Sequence, residues 1–206
     1  GEDVELNASG RTDAGVHAFG QVANFKTNSQ IPIDKFAIAI NSRLKKSIVI
    51  KKAEEVDERF HSRLNCKRKT YRYVINNSPE GTAIYRNLET HIPQKLDVEA
   101  MKKAVKYFEG EHDFKAFKAS GTSSKSSVRT IYEAKVYQNG DRIFIELTGN
   151  GFLYNMVRII AGTLVEVGLG KIEAEKIPDI IQSQKRENAG KTLPPNGLYL
   201  LQVKYN

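Results

Sequence analysis

Apolar and polar positions divide the 206-residue chain into short strands, helices and glycine-rich turns. Val4–Ala8 and Gln21–Phe25 read as strands flanking a glycine-bounded turn. Phe36, Ala37, Ile40 and Leu44 make a helical stripe that opens at Pro32-Ile33-Asp34, with Asp34 as the expected cap. Ile48–Ile50 and Lys67–Ile75 read as strands, the second rich in tyrosine and broken by the turn residues Asn76 to Gly81. Asp97 opens a helix whose apolar face is Val98, Met101, Ala104, Val105 and Phe108, ended by Gly110. Val128–Tyr137 and Arg142–Leu147 flank Asn139-Gly140, a strong hairpin signal. Phe152–Val167 is expected as a long apolar helix, Glu173–Gln184 as another, and Gly197–Tyr205 as a closing strand. Strands and helices mix without strict βαβ alternation, which predicts an α+β fold with largely antiparallel sheet.

Composition narrows the function classes. A 40% hydrophobic content, with nine Phe and nine Tyr, supports a real core, yet no apolar run is long enough to span a bilayer. No membrane partner is expected, and no signal-peptide pattern is visible. The chain opens on Gly1 and at once on a strand, so a fragment, a tagged chain or a processed chain is expected. Cys66 is the only cysteine, which excludes a disulfide within the chain and a cysteine-based metal site, and fits a reducing, cytoplasmic setting. His17, His61, His91 and His112 have no metal-ligand spacing, so no metal is expected.

The net charge of +8 favours a polyanionic partner, although a merely basic soluble protein has the same balance. The cations cluster. Alternation along the strand puts Lys67, Lys69, Tyr71 and Tyr73 on one face, and Arg68, Thr70 and Arg72 on the other. Cations interleaved with tyrosines suit RNA, where phosphates meet the charge and an extruded base stacks on a ring; a solvated sheet face reads the same way. Lys115, Lys118, Lys125 and Arg129 make a second basic region around Lys118–Ser127, a small, polar loop expected to be mobile.

Two residues carry candidate chemistry. Asp13 lies in Gly10-Arg11-Thr12-Asp13-Ala14-Gly15-Val16-His17, where it either caps its own backbone or presents a reactive carboxylate. Arg158 is embedded in the apolar helix and must either snorkel to water or meet a buried anion, which arginine prefers to bind in a bidentate way.

Three patterns stand in order: G-R-T-D-A-G-V-H at 10–17, K-R-K-T-Y-R-Y at 67–73 and G-N-G-F-L-Y-N-M-V-R at 149–158. With Gly110-Glu111-His112-Asp113-Phe114 and Pro195-Asn196-Gly197-Leu198-Tyr199-Leu200, they make the chain resemble the TruA family of tRNA pseudouridine synthases from Asp3 to Tyr205. The resemblance implies a pseudouridine synthase fold of two similar halves, with mainly antiparallel sheets, helices packed on them and a central RNA-binding cleft. It implies a homodimer that isomerises uridine to pseudouridine in the tRNA anticodon stem-loop, at positions 38–40, without cofactor or metal. Asp13 matches the catalytic aspartate, Tyr71 the active-site tyrosine, Arg158 the arginine paired with the aspartate, and Arg11 an arginine near the flipped nucleotide. Lys67, Arg68, Lys69, Lys118 and Lys125 are the further RNA-binding candidates. Family members carry a strand and helix with a Y-D-G-x-x-F/Y-x-G-W-Q pattern before the opening strand, and that pattern is not in this sequence. The expected division is an N-terminal half at 1–66, lacking those elements and carrying Asp13, and a C-terminal half at 67–206 carrying Tyr71 and Arg158.

Two rival readings use the same residues. A non-catalytic binder of structured RNA accounts for the charge and the tyrosine-rich strand. A hydrolase would pair Asp13 with a second carboxylate, Asp113 or Glu111. A phosphate-binding loop at Gly149-x-Gly151 lacks the third glycine and the downstream Lys-Ser/Thr.

Overall fold

A computed structural model describes residues 2–121 and 126–206. Lys125 and the middle of the Lys118–Ser127 loop lie outside the described residues. The first elements are β1 (Asn7–Ala8), β2 (His17–Ala18), β3 (Ala23–Asn24), α1 (Ile33–Asn41), β4 (Arg68–Asn76) and β5 (Thr90–His91). There follow α2 (Val98–Lys106), β6 (Gly110–Asp113), β7 (Val128–Asn139), β8 (Arg142–Gly149), α3 (Met156–Gly168), α4 (Ile177–Ser183) and β9 (Leu198–Lys204). Contacts group them into two compact units, residues 1–9 with 22–65 and residues 10–21 with 66–206. Residues 10–21, which carry Asp13, fall in the larger unit.

In the smaller unit β1 and β3 pair antiparallel over two residues, Asn7 with Asn24 and Ala8 with Ala23. Polar side chains hold its irregular segments. Ser62 Oγ donates to the Asn7 carbonyl at 2.6 Å, while the Asn24 amide accepts from Ser62 N at 2.9 Å and donates to the Phe60 carbonyl at 3.2 Å. Pro32, not Asp34, occupies the α1 cap position; Asp34 falls in the first turn, where a carboxylate faces the helix dipole. Ile48–Ile50 is not a strand. The Asn41 side chain takes both backbone groups of Ile50, at 2.7 and 2.8 Å, and satisfies locally what a ladder would have satisfied.

The larger unit is built on one sheet in the order β2-β9-β4-β8-β7-β6, with β5 beside β4. The long pairings β4–β8, β4–β9 and β7–β8 are antiparallel, while β2–β9 and β4–β5 are short parallel ladders. This is the α+β, largely antiparallel architecture expected. Asn139 pairs with Arg142, so the two-residue hairpin loop is Gly140-Asp141, one position later than expected. The alternation of β4 and β8 drives Tyr73, Ile75, Ile143, Ile145 and Leu147 into the core, all at 1% exposure or less. The α2 face of Met101, Ala104 and Val105 and the α3 residues Met156, Ile159 and Ile160 meet them there. The Asp97 side chain accepts from Ala100 N at 2.9 Å and caps α2 as predicted.

α3 begins four residues later than its apolar pattern suggests. Asn155 sits at φ +60°, in the left-handed region, so the helix cannot continue back through it, and Tyr154-Asn155 form a turn closed by Met156 N donating to the Leu153 carbonyl at 3.0 Å. On the sheet face away from the helices, Glu146 accepts from Arg72 at 2.7 Å and from Tyr137 at 2.7 Å, with Lys135 3.2 Å away. Burial pushes the Glu146 carboxyl up, but these donors outweigh it and hold the group below its ordinary value.

Candidate active site

Asp13 is presented by a turn pinned at both ends. Gly15 takes φ +84° and Val16 N donates to the Asp13 carbonyl at 3.0 Å, closing the chain on itself. β2 follows at once and pairs parallel with β9, His17 opposite Tyr199 and Ala18 opposite Leu200. The His17 ring stacks on Tyr199 at 4.9 Å, and its Nε2 lies 2.8 Å from the Asn87 carbonyl. The Asp13 carboxylate does not cap its own turn. Its Oδ2 accepts from Arg158 Nη1 at 3.1 Å.

Arg158 therefore meets an anion rather than snorkelling, and its side chain is only 14% exposed. The pairing is not the bidentate fork that arginine prefers, because Nε is already committed to the Leu193 carbonyl at 2.7 Å. Nη1 donates also to Asn155 Oδ1 at 2.8 Å. The Leu193 carbonyl is placed by a strap, residues 189–194, that lies directly against α3. Gly190 N donates to Thr163 Oγ1 at 2.9 Å, and a Cβ on Gly162 would stand 1.8 Å from the Lys191 carbonyl oxygen, so only glycine fits. Buried Tyr73 donates to the next carbonyl, that of Pro194, at 2.6 Å, and fixes the end of the strap.

Tyr71 stands on β4 with its ring edge-on to Phe152, centroids 5.1 Å apart. Burial, then the nearby charges of Cys66 and Asp13, push its phenol up to about 12, so it is un-ionised at neutral pH. Asp13, Tyr71, Asn155 and Arg158 line a single cavity of about 140 Å³ whose apolar walls include Val16, Phe152 and Leu198. Asp13 is the one carboxylate in that lining. Glu111 and Asp113 are absent from it; Asp113 accepts instead from Lys115 N at 3.1 Å and Gln184 Nε2 at 2.9 Å. Among the described residues no group of three His, Cys, Asp or Glu side chains is placed to hold a metal ion. None of the helices described is long and apolar enough to cross a membrane.

The remaining candidates distribute unevenly. Arg11 is exposed on the same cavity lining. Lys69 Nζ comes within 3.4 Å of where a Cβ on Gly10 would lie, so its side chain reaches the Asp13 loop. Ala119 N donates to the Tyr154 carbonyl at 3.1 Å, which brings Lys118 to the segment that lines the cavity. Lys67 is exposed at the entry to β4. Arg68 is not gathered with them: alternation turns it to the opposite face of the sheet, where its guanidinium lies 4.6 Å from the Tyr132 ring centroid. Sequence reasoning missed Asn155, His17 and the Leu193 carbonyl. Asn155 lies inside the helix expected over Phe152–Val167, which hid it, and the other two carry no periodic signal.

A largely buried arginine paired with one carboxylate at a partly apolar, tyrosine-lined cavity is the candidate site, and comparison with known proteins defines its class as pseudouridine synthase. A family model described as tRNA pseudouridine synthase matches residues 1–65 and 104–206. The chain is 56% identical over 206 residues to tRNA pseudouridine synthase A of Ruminiclostridium cellulolyticum, covering 100% of this chain and 84% of that protein. It is 54% identical over 205 residues to the protein of the same name in Acetivibrio thermocellus, and 51% identical over 205 residues to that of a Thermoanaerobacter species, with the same coverage. The chain belongs to the TruA family of tRNA pseudouridine synthases, isomerases that convert uridine to pseudouridine.

Proposed function

We propose that this chain isomerises uridine in the anticodon stem-loop of tRNA, at positions 38–40, with Asp13 as the nucleophile. The observation that carries the reading is the 3.1 Å contact between Arg158 and Asp13 at a cavity that Tyr71 also lines. The reaction breaks the bond from uracil N1 to ribose C1′, turns the base and joins C5 to C1′; N1 gains a proton and C5 loses one. Asp13 attacks C1′ as uracil leaves with the electron pair of the N1–C1′ bond, and the carboxylate is displaced again when C5 of the turned base attacks C1′. Arg158 aims the carboxylate. Tyr71 stacks on the base as a neutral phenol and relays the C5 proton, its oxygen taking that proton as its own hydroxyl proton passes to water, from which N1 is protonated.

A stacked uridine must first leave the helix, at a cost of roughly a few kcal/mol. Arg11, at the rim, holds the vacated position or its phosphate, while Lys67, Lys69, Lys118 and Lys125 follow the backbone. Arg68 contacts RNA that passes the far face of the sheet. The resemblance further supports a cytoplasmic homodimer, to be checked by sedimentation.

The test is release of tritium from C5-labelled uridine in tRNA. Release that tracks pseudouridine formation and disappears in Asp13→Asn supports the proposal. Binding without release would favour a non-catalytic RNA-binding protein, and free uracil would favour a hydrolase.

A further inference from the structure

Asn155 has a side chain that the roles given to Asp13, Tyr71 and Arg158 leave unexplained. Its Oδ1 accepts from Arg158 Nη1 at 2.8 Å. A guanidinium has no acceptor, so this contact fixes which end of the amide faces Arg158 and leaves Nδ2 as the other end. Nδ2 donates to no atom among the described residues. No buried side-chain nitrogen or oxygen among those residues lacks a partner, so this NH₂ is accessible. Asn155 is half-buried and lines the cavity of Asp13 and Tyr71. Its backbone is held at φ +60°, a conformation that costs a non-glycine residue free energy.

We propose that Asn155 Nδ2 donates a hydrogen bond to a carbonyl oxygen of the flipped uracil while Oδ1 holds Arg158. This rests on the pseudouridine synthase reading of the cavity and adds a base-reading residue to it. The apolar walls suit the faces of a base, whose carbonyl oxygens then need donors. The symmetry of uracil makes one donor enough. Rotation about the axis through N3 and C6 exchanges N1 with C5 and, with them, O2 with O4. A donor that meets one carbonyl in the substrate therefore meets the other in the product, and Asn155 holds the base on both sides of the turn without moving.

The experiment compares wild type, Asn155→Gly and Asn155→Asp on tRNA whose target uridine carries oxygen, 2-thio or 4-thio substitution. Glycine suits the left-handed backbone, and aspartate keeps an acceptor for Arg158 but has no donor. Single-turnover rates are read beside thermal unfolding and tRNA affinity. Sulfur is a poor acceptor, so each thio substitution is expected to slow wild type roughly tenfold and to have no further effect in either variant. Undiminished rates on both thio substrates in wild type, a measurement that needs no variant, overturn the proposal. So do thio effects that persist in a folded variant, or a 2′-deoxy effect that vanishes in their place, which would put the donor on the ribose. Turnover by Asp13→Asn would instead sink the underlying site assignment, whatever Asn155 does.

Discussion

Arg158 touches Asp13 through one nitrogen and one oxygen, Nη1 to Oδ2 at 3.1 Å, and Asp13 Oδ1 has no partner among the described residues. The contact is end-on because Nε is spent on the Leu193 carbonyl. An end-on pair leaves one carboxylate oxygen uncommitted, where a bidentate fork would occupy both, and the proposed attack on the sugar needs such an oxygen.

Replacing Asp13 by asparagine keeps the shape of the turn, since the loop is closed by main-chain bonds and not by the carboxylate. Pseudouridine formation is expected to fall by about 10³ or more, with tRNA affinity unchanged in a filter-binding titration. Wild-type turnover would remove the role given to this residue.

Arg158→Ala is expected to cost both activity and stability. It strands the Leu193 carbonyl and the Asn155 amide as well as Asp13, and lost bonds to a charged donor of this kind are worth about 2–3 kcal/mol in a urea unfolding curve. Arg158→Lys keeps the charge but cannot reach three acceptors from one ammonium, so it should fold better than the alanine variant while remaining slow. A lysine variant with full activity would show that charge alone suffices.

Tyr71→Phe should bind tRNA and stall, with the rate down by roughly 10²–10⁴ if the hydroxyl serves proton transfer. The same residue gives a stability signature. Its folded phenol is raised to about 12 from an unfolded value of 10, so the unfolded chain loses its proton first as pH rises. The stability this contributes is complete below pH 10 and is lost between pH 10 and 12. Wild type should therefore weaken more steeply than Tyr71→Phe across that window; parallel curves would contradict the burial of the ring.

Gly162→Ala places a methyl group in the space of the Lys191 carbonyl, 1.8 Å away. The strap must retreat, at about 1–3 kcal/mol by the usual cost of overpacking, and the Leu193 carbonyl retreats with it. Loss of turnover at temperatures where the variant is still folded is the expected sign that this carbonyl positions Arg158.

How much of this was legible in the sequence depends on which atoms do the work. Side chains in periodic elements were readable: Asp97 as a cap, the face of α2, the alternation of β4 that separates Tyr71 from Arg68. Asp13 and Arg158 were readable as candidates, since a carboxylate in a glycine-bounded turn and a cation in an apolar helix each violate a local rule. What joins them was not. The Leu193 carbonyl is a main-chain group with no residue signature, and β2 and β5 are ladders of two residues, too short to show alternation. Ile48–Ile50 misled because its β-branched residues fit a strand, while a single asparagine side chain met the backbone need.

The parallel ladder of β2 and β9 has a consequence for how finely the acid can be placed. It consists of two residue pairs, and one is locked by the stack of His17 on Tyr199. Sliding it by a single step moves the loop about 3.3 Å and turns His17 to the wrong side of the sheet. Intermediate positions break the ladder. The reach of Asp13 is thus metered in whole residues: the loop is in register, or it is off by an entire step, and the protein has no graded way of being slightly misaligned.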